Sequence, residues 1–291
     1  MTARDHLTEG EAAARRFALA TPRGGPVNRA GTAFGARAGS SLEFRDHRGY
    51  EPGDDLRHVD WAAYARSDQL NVKLFREEVA PHLDVLLDGS RSMALAGSAK
   101  ARATLALAGF FTAAAANAGF THAGWLLAAD ALPLGDRARR PEAWEAVAFD
   151  HRESPAAALA TAAARWRPRG VRVLLSDLLW DADPGRVVRQ LSDRASTAIV
   201  VQVLATADAA PPTGGFLRLI DSETDAVREV REVRVDAAVA ARYRANLQRL
   251  QGHWHDACRA AGVVFAPVIA EDLLAGWRLD PLVAAGVLEV G

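Results

Sequence analysis

The sequence predicts an α/β fold, with a doubly wound, mostly parallel sheet flanked by helices and a smaller region ahead of it. Two observations carry this. Apolar runs of Leu83, Val85, Leu86 and Leu87 and of Val171, Val173, Leu174 and Leu175 stop abruptly in polar loops, as buried parallel strands do at their carboxyl ends. Helical stretches alternate with these runs and with a third, Thr197 to Leu204, which is the pattern of strand–helix–strand crossovers. At 291 residues and 49% hydrophobic, the chain has core enough for one large or two modest domains. The expected division is a charged N-terminal region over 1–80 and an α/β domain over 81–291.

Residues 8–20 read as a helix, with Thr8 as N-cap and Glu11 three residues on completing a capping box. Gly and Pro break the pattern over 21–26, and the Gly- and Ser-rich passage 30–41 continues as loop. This front portion has few apolar runs, so it is expected to lie against the following domain. Residues 46–66 alternate acids and arginines around Tyr50, Trp61 and Tyr64. They form either a solvated face whose ion pairs are worth about 0–1 kcal/mol each, or a network of Asp54, Asp55, Arg57, Asp60 and Arg66 anchored by Trp61. The alternation over 71–75 suggests a strand leading into the first core strand.

After that strand, Asp88-Gly89-Ser90-Arg91-Ser92 forms a polar loop and residues 99–117 an Ala-rich helix. A strand is expected over 121–129, a hairpin-like edge over 130–135, a short helix over 141–147 and a longer one over 156–166, with Ser154 at its N-cap. Further on, helix is expected over 184–195, a β-hairpin from 216–220 to 226–235, an amphipathic helix over 236–258, a last strand over 263–268 and a final helix over 271–277. Residues 103–129 carry no formal charge apart from His122, which on length alone would suit the roughly 20 residues of a membrane span. Asn117, Gly119 and Thr121 interrupt the run where a helix should end, so the stretch reads as a buried helix followed by a strand.

The chemistry gathers in the loops after the strands. Asp88, Ser90 and Ser92 alternate, so one carboxylate and two hydroxyls can converge on a point. That is a set of hard oxygen donors for a small hard cation, and Mg²⁺ asks for six at roughly 2.0–2.1 Å. Asp177 ends a later strand and Ser154 precedes the middle helix. Open α/β sheets collect ligands where such loops meet.

An Asp-x-Ser-x-Ser after the first buried strand, a hydroxyl before a middle helix and an Asp after a later strand resemble the metal-ion-dependent adhesion site of von Willebrand factor A domains. Upstream, Arg48-Gly49-Tyr50-Glu51-Pro52-Gly53-Asp54-Asp55-Leu56-Arg57-His58-Val59-Asp60-Trp61, with Ala65-Arg66, resembles the signature of the bacterial domain of unknown function 58 family. The resemblance implies a von Willebrand factor A-like domain in which Asp88, Ser90, Ser92, Ser154 and Asp177 hold Mg²⁺ or another divalent cation such as Mn²⁺ or Ca²⁺. It implies a coordination position left open for an acidic side chain of a protein partner, and partnership with a MoxR-type AAA+ ATPase. One departure is that Glu153-Ser154-Pro155 stands where the adhesion-site pattern usually has Thr.

Other classes fit less well. Lys+Arg at 35 against Asp+Glu at 36 leaves a formal charge of -1, with no bias toward nucleic acid or anionic membranes. The lone Cys258 forms no internal disulfide, and Glu9, Glu11, Arg15 and Arg16 interrupt any secretory signal, so a cytoplasmic setting is expected. A haloacid-dehalogenase-like, Mg-dependent phosphatase would use Asp88 as nucleophile. Such enzymes need a second Asp where this chain has Ser90, and a late basic residue, typically Lys, whereas no Lys follows Lys100. There is no Gly-x-Ser-x-Gly elbow, and on a helix only His255 shares a face with Cys258. The expectation is a non-enzymatic interaction module, with a metal-free scaffold of the same fold as a further reading.

Overall fold

The computed structural model describes residues 2–20, 42–77, 81–135, 144, 147–162, 165–219 and 231–291. In chain order the elements are α1 (Ala3–Ala13), β1 (Phe17–Leu19), β2 (Leu42–Gly49), α2 (Trp61–Ser67), β3 (Asn71–Glu77), β4 (His82–Asp88), α3 (Lys100–Asn117), β5 (Thr121–Leu127) and β6 (Ala131–Leu134). They continue with α4 (Pro155–Ala162), β7 (Val171–Ser176), α5 (Pro184–Ser192), β8 (Thr197–Leu204), α6 (Thr206–Ala209), β9 (Gly215–Leu219) and β10 (Arg231–Val235). The chain closes with α7 (Ala237–Ala260), β11 (Val264–Ile269), α8 (Ala270–Gly276), α9 (Asp280–Ala284) and β12 (Leu288–Val290). Met1–Arg23 and Pro81–Gly291 make one unit; Gly24–Ala80 make another.

The larger unit is built on a six-stranded sheet in the order β11-β8-β7-β4-β5-β6. Its neighbours are parallel except β6, which runs antiparallel to β5. The α/β, mostly parallel architecture is therefore the one expected. β4 sits between two parallel partners, which explains why its apolar run is nearly continuous: every residue from His82 to Asp88 is buried. Its side chains alternate between two layers. Leu83, Val85 and Leu87 pack with Leu7 of α1, Phe110 and Phe111 of α3 and Leu273 of α8, while Leu86 packs with Leu159 of α4, Val187 of α5 and Trp254 of α7.

The uncharged stretch 103–129 owes its composition to this layering. α3 is covered by the sheet on one side and by α1 on the other, so it is apolar almost all round. Among the described residues no helix is long and apolar enough to cross a membrane. The α1–α3 crossing depends on two glycines. A Cβ on Gly10 would lie 1.7 Å from the Ala106 carbonyl oxygen, and one on Gly109 would lie 2.1 Å from that of Leu7.

Several boundaries differ from the sequence expectation. The first helix runs Ala3–Ala13, not 8–20, and its capping box is Thr2 with Asp5: the Thr2 amide donates to Asp5 Oδ2 at 2.6 Å and the Asp5 amide to Thr2 Oγ1 at 3.3 Å. It stops early because Phe17–Leu19 pairs antiparallel with β12 and buries Phe17 and Leu19. α9 and β12 are too short to show a period. The expected loops over 21–26 and 30–41, and most of the expected helix over 141–147, lie outside the described residues, as does the turn between β9 and β10.

In the smaller unit, β2 and β3 form an antiparallel ladder from Leu42↔Glu77 to Gly49↔Asn71, with a register shift between Phe44 and Asp46. The strand expected over 71–75 is therefore present, as β3, and its partner is β2. Asp60 caps α2 by accepting from the Ala63 amide at 2.9 Å, and its other oxygen lies 2.8 Å from His47 Nε2 and 3.6 Å from Lys73 Nζ. Arg48 pairs with Asp54 at 2.8 Å and Arg57 with Asp55 at 2.7 Å. Trp61 does not anchor this network; it is 57% exposed and edge-on to Tyr64 at 6.3 Å. Among the described residues, Asp54 and Asp55 each hold an arginine close in sequence.

Candidate functional site

The strand order reverses between β4 and β7. From that pair the chain steps outward to β5 and β6 on one side and to β8 and β11 on the other, so the crevice at their carboxyl ends is the topological switch point where open α/β sheets bind ligands. Asp88 ends β4 and Ser176 ends β7.

The Asp88 loop is shaped by its glycine. A Cβ on Gly89 would lie 2.7 Å from the Leu127 carbonyl oxygen and 3.0 Å from the His151 ring, and the Gly89 amide donates to that carbonyl at 2.9 Å. The chain is thereby held against the end of β5. His151 then pairs across it: its amide donates to the Gly89 carbonyl at 3.1 Å, and its carbonyl accepts from the Arg91 amide at 2.9 Å. This brings the segment leading to Ser154 alongside Ser90. The Ser154 hydroxyl accepts from the Ala156 amide at 3.3 Å, serving the start of α4.

Asp88 is fully buried. Its Oδ1 accepts from the Ser90 amide at 2.9 Å, and its Oδ2 accepts from the Ser176 hydroxyl at 2.5 Å and the Trp180 indole N–H at 3.0 Å. All three donors are neutral. Burial, and then the neighbouring Asp177 carboxylate, push its carboxyl up to about 6 against the pull of these hydrogen bonds. The Ser90 and Ser92 hydroxyls lie 3.0 Å apart beside it.

Asp177, also fully buried, has a different environment. Its Oδ1 accepts from the Leu179 amide at 3.0 Å, and its Oδ2 lies 3.0 Å from Lys100 Nζ. Lys100, the first residue of α3, is fully buried and reaches Asp208 Oδ2 at 3.0 Å as well. Burial alone would lower its pKa, but Asp177 and Asp208 outweigh burial and hold the ammonium above its ordinary value. The Asp177 carbonyl accepts from Gln202, whose own amide oxygen accepts from Gln251 of α7. Leu178 follows with φ of 57°, a left-handed turn that swings the chain away from the strand.

The structure thus brings Asp88, Ser90 and Ser92 into one hydrogen-bonded group, sets Asp177 close enough to Asp88 to raise it, and carries the Ser154 segment alongside. Ser176, Trp180 and Lys100 were not among the sequence candidates. Ser176 adjoins Asp177 and carried a hydroxyl at the right strand end; Lys100, one of only two lysines, was the available signal for the cation. Among the described residues no group of three or more His, Cys, Asp or Glu is placed to hold a metal ion, so a cation here would depend on hydroxyl oxygens. Asp88 and the two serines fit that demand: hard oxygens, with a buried carboxylate whose donors bring no positive charge. Asp177 fits it less, because Lys100 already faces one of its oxygens.

These features define an α/β domain with an oxygen-rich loop cluster at its switch point. The family described as protein of unknown function DUF58 matches residues 46–252, and the chain belongs to it. No curated protein matches the sequence. Among solved structures, the chain is similar to the conserved hypothetical protein BatB from Bacteroides thetaiotaomicron, at 12% identity and a TM-score of 0.34, covering 71% of this chain and 98% of that one. It is similar to a von Willebrand factor type A protein from Catenulispora acidiphila, at 16% identity and a TM-score of 0.31, covering 62% of this chain and 45% of that one. A third is an uncharacterized membrane spanning protein from Vibrio fischeri, at 16% identity and a TM-score of 0.21, covering 67% and 94%.

Proposed function

We propose that the chain is a protein-interaction module whose contact is made at the loop cluster between β4 and β7, with Mg²⁺ or another divalent cation held there by Asp88, Ser90 and Ser92, supported by Ser154 and Asp177. The observation that carries the reading is the buried Asp88 carboxylate, which receives three neutral donors beside a pair of hydroxyls 3.0 Å apart. A buried carboxylate without a cation is costly, and a bound cation relieves that cost. When bound, the cation would offer an open position to a carboxylate of the partner. Gly89 and the His151 pairing hold the serines in place, and Trp180 and Ser176 orient Asp88. The family resemblance makes a MoxR-type AAA+ ATPase the partner to test.

Calorimetric titration with Mg²⁺ and Mn²⁺ tests this directly. Binding to the natural chain that disappears in Ser90→Ala/Ser92→Ala supports it, as does capture of the ATPase that is lost in excess EDTA. Absence of metal binding together with EDTA-insensitive capture would favour the metal-free scaffold, a reading to which the Lys100–Asp177 pair lends weight. The phosphatase reading fares worse. Such an enzyme needs a second acid two residues after its nucleophile, and Ser90 stands there.

A further inference from the structure

We infer that Lys100 is a tethered counter-ion which divides the acidic pair of the loop cluster, claiming Asp177 for itself and leaving a divalent cation to Asp88 and the serine hydroxyls, so that this lysine sets the metal affinity of the site. The inference rests on the reading of the cluster as a divalent-cation site.

Geometry separates the two carboxylates. Lys100 Nζ stands 3.0 Å from Asp177 Oδ2 and 3.0 Å from Asp208 Oδ2, with no exposure of its side chain. Each acid also accepts a backbone amide. Asp177 takes the Leu179 amide on its second oxygen, and Asp208 takes the Ala205 amide at 2.9 Å on the oxygen that faces the lysine. The helix that carries Lys100 is fixed as well: the Ala99 amide donates to Glu271 Oε1 at 3.3 Å, and Glu271 Oε2 accepts from the Thr206 amide at 2.9 Å. The ammonium, carried by the start of α3, is therefore held by two further segments, the loop after β7 and α6. Among the described residues, the donors to Asp88 are the Ser90 amide, the Ser176 hydroxyl and the Trp180 indole, none of them a cation.

The chemical consequence follows from charge. Affinity of an oxygen site for a divalent cation rises with the number of anionic ligands, by decades across known sites. With Lys100 present, an ammonium shared with Asp208 offsets part of the Asp177 charge and repels a second cation. With the ammonium removed, Asp177 becomes a full anionic contributor beside Asp88. The natural chain is then a weak, readily exchanging metal site, and its loops are held in place by the lysine in the absence of metal.

The experiment is Mn²⁺ titration of the full chain by calorimetry, with bound Mn²⁺ counted by electron paramagnetic resonance. Lys100→Met should bind Mn²⁺ about tenfold or more tightly than the natural chain, and the gain should vanish in Lys100→Met/Asp177→Asn. Lys100→Arg, which keeps the charge, should bind as weakly as the natural chain. Lys100→Met binding no more tightly than the natural chain, while Ser90→Ala/Ser92→Ala still abolishes binding, overturns the role of Lys100 and leaves the metal reading standing. Absence of binding by every variant overturns both. If Lys100→Met is too unstable for calorimetry, thermal unfolding replaces it. Mn²⁺ should then raise the midpoint of Lys100→Met by more than that of the natural chain, and equal shifts would sink the inference.

Discussion

The Lys100 ammonium and the Asp177 carboxylate meet 3.0 Å apart with neither side chain exposed, although 77 residues separate them in sequence. Burying an ion pair is close to neutral when both partners are present, and removing one leaves an uncompensated charge. Lys100→Ala should therefore lower unfolding stability by about 3–5 kcal/mol. Urea unfolding at pH 7 checks this. A loss under about 1 kcal/mol would mean that water reaches Asp177 and the pair is not sealed.

The glycine crossing of α1 and α3 gives a second test. Gly10→Ala puts a methyl group 1.7 Å from the Ala106 carbonyl oxygen, backbone that cannot turn aside, so α1 must shift off α3. A loss of about 1–3 kcal/mol is expected. Gly252→Ala in α7 is the control. A Cβ there meets nothing within 4 Å, and the change should stabilise by roughly 0.5–1 kcal/mol through helix propensity. Matched thermal melts of the two variants should move in opposite directions.

Asp60 supplies the pH test. The Ala63 amide and then His47 hold its carboxyl down to about 2, from an ordinary 3.8. Because the folded value is lowered, the stabilisation is fully present above 3.8 and is lost as pH falls through about 2. Carboxyl-carbon NMR of the native chain should show Asp60 titrating near 2. A midpoint near 4 would show that the cap and the His47 contact do not persist in solution.

Cys258 should be inert in the folded chain. It has no exposed surface, and burial pushes its thiol up to about 12, so thiolate is scarce at pH 8. A chromogenic disulfide reagent should label it only after urea unfolding. Prompt labelling of the native chain would show that α7 opens away from the sheet.

Much of the larger unit was legible because a buried central strand declares itself. Leu83, Val85, Leu86 and Leu87, and Val171, Val173, Leu174 and Leu175, are each interrupted by one charge only, Asp84 and Arg172, and each run is followed within two residues by an acid that the fold carries to the switch point. The proximity of Asp88, Ser90 and Ser92 was legible because they are neighbours in sequence. Contacts between distant segments were not. A single lysine at a helix start says nothing about an acid 77 positions on, and Trp180 gave no sign that its indole N–H would reach Asp88. At the N-terminus, Thr8 and Glu11 offered a capping box as good as that of Thr2 and Asp5. Pairing of Phe17–Leu19 with β12 decided between them, and no local pattern encodes that. Trp61 misled because aromatic residues are usually buried, whereas here it lies at the surface beside Tyr64.

The pairing of Phe17 with Val290 and of Leu19 with Leu288 also sets how the larger unit answers to force. The strands are antiparallel, with the N-terminal end of β1 beside the C-terminal end of β12. Tension between residues 2 and 291 therefore loads this ladder one hydrogen bond at a time, like a zip, while the parallel sheet behind it stays slack. A client or motor tugging on both ends would first peel away β12 and free α1 from its neighbours. The Asp88 cluster would still be standing at that stage, an order of failure that single-molecule pulling could resolve.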